Sequence, residues 1–170
     1  LTVYEKEKPY NLRKSLLTSY QQTIKPTEII LVCDGELTQE LYDEIERIKS
    51  EIPILKVYQL DTNVGSGPAS RFGVEKCNTD LIARMDSDDY SEETRFEKQI
   101  KAFEENPNLI MVGTNILEKN TEFTALKTVP ENTEEIREYS KFRNPFNNPS
   151  SMMKKEYILK VGNYRKFRYL

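Results

Sequence analysis

The sequence predicts an α/β fold built on a mostly parallel, twisted sheet with helices on both faces. Apolar runs of strand length alternate along the chain with amphipathic stretches of helix length, the pattern of right-handed βαβ units. The run Ile29–Cys33 is apolar at every position, as expected of a strand covered on both faces. Polar features follow the apolar runs: Tyr4-Glu5, Asp34-Gly35, the glycine-bearing loop 61–68 and the acids of 86–89. In a parallel sheet these collect beyond the carboxyl ends of the strands, where ligands of such folds gather.

Residues 1–4 read as a short strand, entered partway, so the N-terminus is expected to be slightly trimmed. Pro9 suits a first helical turn, and Leu12, Leu16 and Tyr20 recur every four residues to give one buried stripe. Residues 21–26 stop that helix. After the strand 28–33, Thr38 can cap a second helix with Leu41, Ile45 and Ile48 inward. A third strand is expected over 54–60, a helix over 69–76 and a fourth strand over 80–85. Phe96, Ile100 and Phe103 line the next helix, which Asn106-Pro107 ends. Beyond a strand at 109–117 the pattern loosens. Residues 118–128 read as a hairpin or an exposed loop, 134–142 as a helix with Ile136 and Tyr139 inward, and 144–149 as turns. A short strand at 150–153 and a helix at 154–161, stopped by Gly162, complete the chain as one domain of 170 residues.

Composition narrows the function. The net charge of −3, with no dominant basic stripe, argues against a nucleic-acid-coating protein. The chain has no histidine, which removes Ser-His-Asp and Cys-His nucleophilic sites and histidine-ligated zinc. Cys33 and Cys77 imply no disulfide framework and fit a reducing cytoplasm. No run approaches the ~20 apolar residues of a membrane span.

The stretch Leu81-Ile-Ala-Arg-Met-Asp-Ser-Asp-Asp-Tyr90 carries the chemistry. Strand side chains alternate in direction, so Asp86 and Asp88 are expected to share a face. Two such charges ~4 Å apart repel by about 4 kcal/mol at an effective dielectric near 20. A divalent cation with oxygen ligands relieves that cost. The competing reading is a solvated acidic turn, with Ser91 capping a helix that has Glu92 and Glu93 in its first turn. An EF-hand is excluded, because Ser91 stands where the loop requires glycine. In a dinucleotide fingerprint at Gly65-Ser-Gly67, Ser70 would take the third glycine's place.

Five segments in register resemble family 2 glycosyltransferases, and the resemblance covers nearly the whole chain. They are Val3-Tyr4, Glu28-Ile-Ile-Leu-Val-Cys-Asp-Gly35, Asn63-Val-Gly-Ser-Gly-Pro-Ala-Ser-Arg-Phe-Gly73, Leu81-Ile-Ala-Arg-Met-Asp-Ser-Asp-Asp89, and Asn148-Pro-Ser-Ser-Met-Met-Lys154 continued by Val161-Gly-Asn-Tyr-Arg165. The resemblance, of bacterial type, implies the GT-A fold, Rossmann-like with helices on both faces of the sheet. It implies an inverting transferase that moves a sugar from a nucleotide-diphosphate sugar, commonly a UDP-sugar. The acceptor would be a glycan or a lipid-linked sugar in surface polysaccharide biosynthesis. Asp34 would accept a hydrogen bond from the base, with Thr2, Val3, Tyr4 and Glu5 walling the nucleoside. Gly65 would let backbone approach the ligand, and Arg71 would bind base or diphosphate oxygen. Asp86, with Ser87 beside it, would reach ribose or metal, and Asp88 would ligate Mn²⁺ or Mg²⁺. The family usually places two acids before the glycine where this chain has Cys33 and Asp34, and an asparagine is common where Phe72 stands.

The resemblance places the catalytic base in an acidic pair just after a segment like 162–170, so the base is expected beyond Leu170 and the chain is expected to be truncated there. The final stretch sets Lys154, Lys155, Lys160, Arg165, Lys166 and Arg168 against Glu156, interleaved with Tyr157, Tyr164, Phe167 and Tyr169. It is either a solvated surface with packing aromatics or a docking site for anionic lipid, at the inner face of the cell membrane. A non-catalytic nucleotide-sugar-binding module is the main alternative. A metal-dependent phosphohydrolase would leave Asp34 unexplained.

Overall fold

The structure, a computed structural model, describes residues 1–120 and 122–166. In chain order its elements are β1 (Thr2–Val3), α1 (Pro9–Tyr20), β2 (Ile29–Cys33), α2 (Gln39–Glu51), β3 (Leu55–Gln59), α3 (Ser66–Lys76) and β4 (Leu81–Ala83). There follow α4 (Arg95–Glu105), β5 (Met111–Val112), β6 (Ile116–Lys119), β7 (Thr124–Lys127), α5 (Thr133–Tyr139), a 3-10 turn (Asn148–Ser150), β8 (Met152–Lys154) and α6 (Lys155–Lys160).

The expected parallel sheet is present as β1-β2-β3, with Val3 opposite Cys33 and Leu31 opposite Val57. Alternation along β2 supplies both helical layers. Ile29, Leu31 and Cys33 pack with Leu12 and Leu16 of α1 and with Leu41, Ile45 and Ile48 of α2. Ile30 and Val32 point the other way, toward Ala69 and Phe72 of α3. Every residue of β2 is buried. A large apolar side chain removed from water contributes about 1.5–3 kcal/mol, so this strand is the anchor of the N-terminal half. Pro9 opens α1, and Thr38 caps α2 by accepting a hydrogen bond from the Leu41 amide.

The second half is built differently. β8 lies between β4 and β5 and runs antiparallel to both, with Ile82 opposite Met153 and Val112 opposite Met152. Phe96 and Phe103 of α4 pack against Met152. The single strand expected over 109–117 is two strands. A Cβ on Gly113 would come within 2.8 Å of the Phe146 ring. Next to it Thr114 donates its amide to Ser150 Oγ at 3.1 Å and accepts from Asn147 Nδ2 at 3.0 Å. These bonds take Thr114 out of the ladder, and the chain leaves to form the β6–β7 hairpin, Leu117 opposite Leu126. The helix expected over 134–142 is α5, which buries no residue, and Tyr139, expected inward, is 38% exposed. Ile136, the other residue expected inward, is half-buried.

A cavity of about 280 Å³ separates the β1–β2 edge from β4, lined by Ile30, Val74, Ile82 and Met153 and by the polar Ser19 and Arg84. At its wall the Leu1 nitrogen donates to the Ile30 carbonyl at 2.9 Å.

Candidate functional site

Asp34 leaves β2 with its amide bonded to the Val3 carbonyl at 2.7 Å. The residue is 4% exposed. Oδ1 accepts from the Val64 amide at 2.7 Å and Oδ2 from the Gly65 amide at 3.0 Å. Charge-assisted bonds of this kind are about twice as strong as neutral ones, so Asp34 fixes the loop that leads into α3. The loop folds back closely enough that a Cβ on Gly35 would lie 2.6 Å from the Asn63 nitrogen, and Gly35 has φ +84°. Gly65 has φ +91° with open space around its missing Cβ. Its glycine is therefore required by backbone conformation, and the vacant space leaves the loop open toward a ligand.

Around this loop the structure distributes the other expected residues unevenly. Val3 belongs to the core and Thr2 is half-buried, whereas Tyr4 and Glu5 are exposed. Arg71, on the exposed side of α3, donates its Nε to Glu75 Oε1 at 3.1 Å, an i,i+4 ion pair. Cys33 is buried and its thiol is pushed up to about 11 by that burial, so it is no nucleophile.

The acidic segment lies beyond β4. The strand ends at Ala83, and residues 86–89 form a turn in which the Asp89 amide meets the Asp86 carbonyl at 3.4 Å. Strand alternation therefore does not govern Asp86 and Asp88, contrary to the expectation from sequence. Asp86 Oδ1 pairs with Arg84 Nη2 at 2.9 Å, while Asp88 and Asp89 are exposed. Although Asp89 is exposed, partial desolvation of its carboxyl, then the neighbouring charges of Asp88 and Asp86, push it above its ordinary value.

Helix α1 holds this turn in place. Ser15 Oγ donates to the Asp86 carbonyl at 2.7 Å, and Thr18 Oγ1 accepts from the Ser91 amide at 3.2 Å. Buried Ser87 donates to Glu7 Oε2 at 2.7 Å, tying the acidic turn to the segment just before α1. Lys14 Nζ sits 3.6 Å from the Tyr90 ring centroid, within cation–π range. Gln22 donates to the Glu92 carbonyl at 2.9 Å and accepts from the Phe96 amide at 3.0 Å, which satisfies one free donor at the start of α4.

Two buried arginines complete the support, and neither stood out in the sequence. Arg95 spans from Ser91 Oγ at 2.9 Å to the Arg84 carbonyl at 2.8 Å, and burial pushes its guanidinium down to about 10. Arg84 carries the pair to Asp86. The available signal was an arginine inside the apolar run 81–85, since a charge there requires a partner.

Among the described residues, no three His, Cys, Asp or Glu side chains converge into a ready-made metal cage. The residues present still fit a hard dication. Mg²⁺-like ions are commonly held by one or two carboxylates, with water and phosphate completing the shell. Asp88 and Asp89 are adjacent and exposed, and Asp86 commits only one oxygen to Arg84.

In the basic C-terminal stretch, Lys154 Nζ donates to the Pro107 carbonyl and Lys155 Nζ to that of Cys77. Those two charges serve the fold. Phe167, Arg168, Tyr169 and Leu170 lie outside the described residues. Among the described residues no helix is long and apolar enough to cross a membrane.

The model of the family described as glycosyl transferase family 2 matches residues 2–161. The chain is 33% identical over 171 residues to the amylovoran biosynthesis glycosyltransferase AmsE of Erwinia amylovora, covering 100% of this chain and 64% of that protein. It is 34% identical over 169 residues to the UDP-Gal:alpha-D-GlcNAc-diphosphoundecaprenol beta-1,3-galactosyltransferase of Escherichia coli, covering 96% and 60%. The chain thus spans about three fifths of these relatives. Among solved structures, S. aureus TarS 1-349 in complex with UDP superposes with a TM-score of 0.70 at 17% identity, over 97% of this chain and 49% of that one. The mannosyltransferase PcManGT from Pyrobaculum calidifontis, in complex with GDP-Man and Mn2+, gives 0.69 at 13% identity, over 96% and 46%. The shared architecture is the GT-A fold expected from the sequence.

Proposed function

The chain belongs to glycosyl transferase family 2, and on that premise we propose that it forms the donor side of an inverting, metal-dependent glycosyltransferase. Its donor is a nucleotide-diphosphate sugar, a UDP-sugar in our reading. Its acceptor is a glycan or lipid-linked sugar of bacterial surface polysaccharide synthesis. The names of the relatives support this choice: one takes part in amylovoran biosynthesis and another is a UDP-Gal transferase acting on a diphosphoundecaprenol.

The observation that carries the proposal is the exposed pair Asp88–Asp89 in a turn that α1 holds beyond the end of β4, in a chain whose Asp34 separately pins the loop entering α3. In the proposed reaction an acceptor hydroxyl oxygen bonds to the anomeric carbon, on the face opposite the diphosphate. The bond from that carbon to the diphosphate oxygen breaks, and the hydroxyl proton passes to a carboxylate base. Mn²⁺ or Mg²⁺, held by Asp88 with Asp86 or Asp89, supplies Lewis-acid stabilisation of the leaving diphosphate when bound. Asp34 fixes the loop against which the base lies and has further lone pairs for the base. Thr2, Tyr4 and Glu5 border the nucleoside. Arg71 reaches the nucleotide by exchanging its exposed partner Glu75, a pair of small worth in water. Gly65 keeps the loop face clear, and Ser87 keeps Asp86 in place from the β1 side.

Calorimetry tests the assignment. The chain should bind UDP in the presence of Mn²⁺, and Asp88→Ala should abolish that binding while leaving thermal unfolding unchanged. Undiminished affinity in the variant overturns the metal assignment. A folded wild-type chain that binds no UDP overturns the donor site.

A further inference from the structure

We propose that Arg84 is a positioning residue of the donor site, orienting Asp86 and reducing the charge that the acidic turn presents to a cation. The proposal rests on the donor-site reading above and deepens it.

Arg84 is 8% exposed, so its guanidinium lies beneath the rim and supports a ligand only through another group. Its place is fixed at every point that could move. The amide donates to the Ser151 carbonyl at 2.8 Å, and the carbonyl accepts from Arg95 Nη2 at 2.8 Å. The side chain then turns back over its own strand end. Nη1 donates to the Met85 carbonyl at 3.0 Å and Nη2 meets Asp86 Oδ1 at 2.9 Å. A guanidinium presents its donors in a rigid plane, so with Nη1 held on the Met85 carbonyl, Nη2 fixes where Asp86 Oδ1 lies.

Stability does not explain the residue. Arg84 Nε is buried without a hydrogen-bond partner, beside the cavity that Ser19 also lines with an unpartnered Oγ. A buried charge with an unmet donor is costly, and apolar replacement of such groups is often neutral or stabilising. The arginine also meets Tyr164, and its remaining effect falls on the acids. Three carboxylates would otherwise stand together at residues 86, 88 and 89. With Arg84 against the first, the cluster carries two net negative charges instead of three. Asp86 is left with one oxygen for a ligand hydroxyl or the cation, beside Asp88 and Asp89.

A residue that merely holds the fold and one that divides these roles differ in the sign of one measurement. Calorimetry with the chain would record Mn²⁺ alone, then UDP at saturating Mn²⁺, for wild type, Arg84→Met, Arg84→Gln and Arg84→Lys. Without the cation beside the acids, Arg84→Met should bind Mn²⁺ about tenfold more tightly, since Coulomb repulsion of the dication is relieved. The same variant should bind UDP about tenfold more weakly, having lost the set orientation of Asp86. Arg84→Lys restores the charge but not the planar fork, so it should return Mn²⁺ affinity to the wild-type value and recover UDP only in part. If thermal melting shows Arg84→Met unfolded, Arg84→Gln carries the same two expectations. Loss of both affinities together in a folded variant, or a change in neither, overturns the proposal. Wild-type protein that fails to bind UDP overturns the donor reading, and the Mn²⁺ comparison still decides the role of Arg84.

Discussion

The two halves of the chain solve the burial problem in opposite ways. In the first, β2 is buried along its whole length between α1 and α2 on one face and α3 on the other. In the second, β7 is exposed at all of its described positions and α5 buries none of its residues. Yet the acidic turn belongs by sequence to the second half and is held mainly by the first, through Glu7, Ser15, Thr18 and Gln22. The rigid half is therefore the scaffold of the site, and the chemistry is docked on it by side chains of α1 and its flanks. This division predicts unequal consequences for matched substitutions.

The largest difference should come from the cores. Leu31, at the centre of β2, is fully buried, while Leu126 on the β6–β7 hairpin is 62% exposed. Leu31→Ala should cost about 2–5 kcal/mol, the transfer of the lost methyl groups plus the cavity they leave. Leu126→Ala should stay within about 0.5 kcal/mol. Urea unfolding of both variants measures the contrast. Equal losses would mean that the hairpin is part of the cooperative core.

A smaller difference should separate two polar anchors. Asp34 serves the Val64 and Gly65 amides in the first half, and among the described residues Asn115 serves the Val129 amide alone, at 3.0 Å, in the exposed second half. Asp34→Ala leaves two amides without their charged acceptor, at about 1.5–3 kcal/mol by urea unfolding. It should also weaken UDP binding, because the loop it holds borders the nucleotide. Asn115→Ala should change stability by less than about 0.5 kcal/mol and leave UDP affinity untouched.

The same contrast decides what could be read from the sequence. Strand β2, helices α1 and α2 and the Thr38 cap were legible because the apolar pattern is dense and local. The break at residues 113–115 was not, because its cause is the distant ring of Phe146 with Asn147 and Ser150. Likewise, sequence picks out Asp86, Asp88 and Asp89 as acids but not the turn that carries them, since β4 ends where its pairing with β8 runs out. Arg84 and Arg95 were passed over for a related reason. A buried cation is recognised by its partners, and those of Arg95 include Ser151, far along the chain.

The smallest effect should appear at the joint between the halves. Glu28, just before β2, accepts from the Asn78 amide at 2.5 Å, from Asn78 Nδ2 at 3.2 Å and from Lys56 Nζ at 2.6 Å. It thereby ties the parallel sheet to the segment that leads into β4. Burial alone would raise the Glu28 carboxyl, but the Asn78 amide and the Lys56 ammonium outweigh it and hold the group below its ordinary 4.5. A carboxylate lowered by folding adds stability above its unfolded value, and that stability is lost as pH falls through the folded one. Glu28→Gln should therefore lower the melting temperature at pH 7, and its difference from wild type should shrink as pH drops below 4.5. The effect is modest because Lys56 is half exposed and its attraction is screened by water. Melts across that range with unchanged spacing between the two proteins would mean that the joint is held by shape and neutral hydrogen bonds rather than by charge. The two halves would then be coupled equally well in acid.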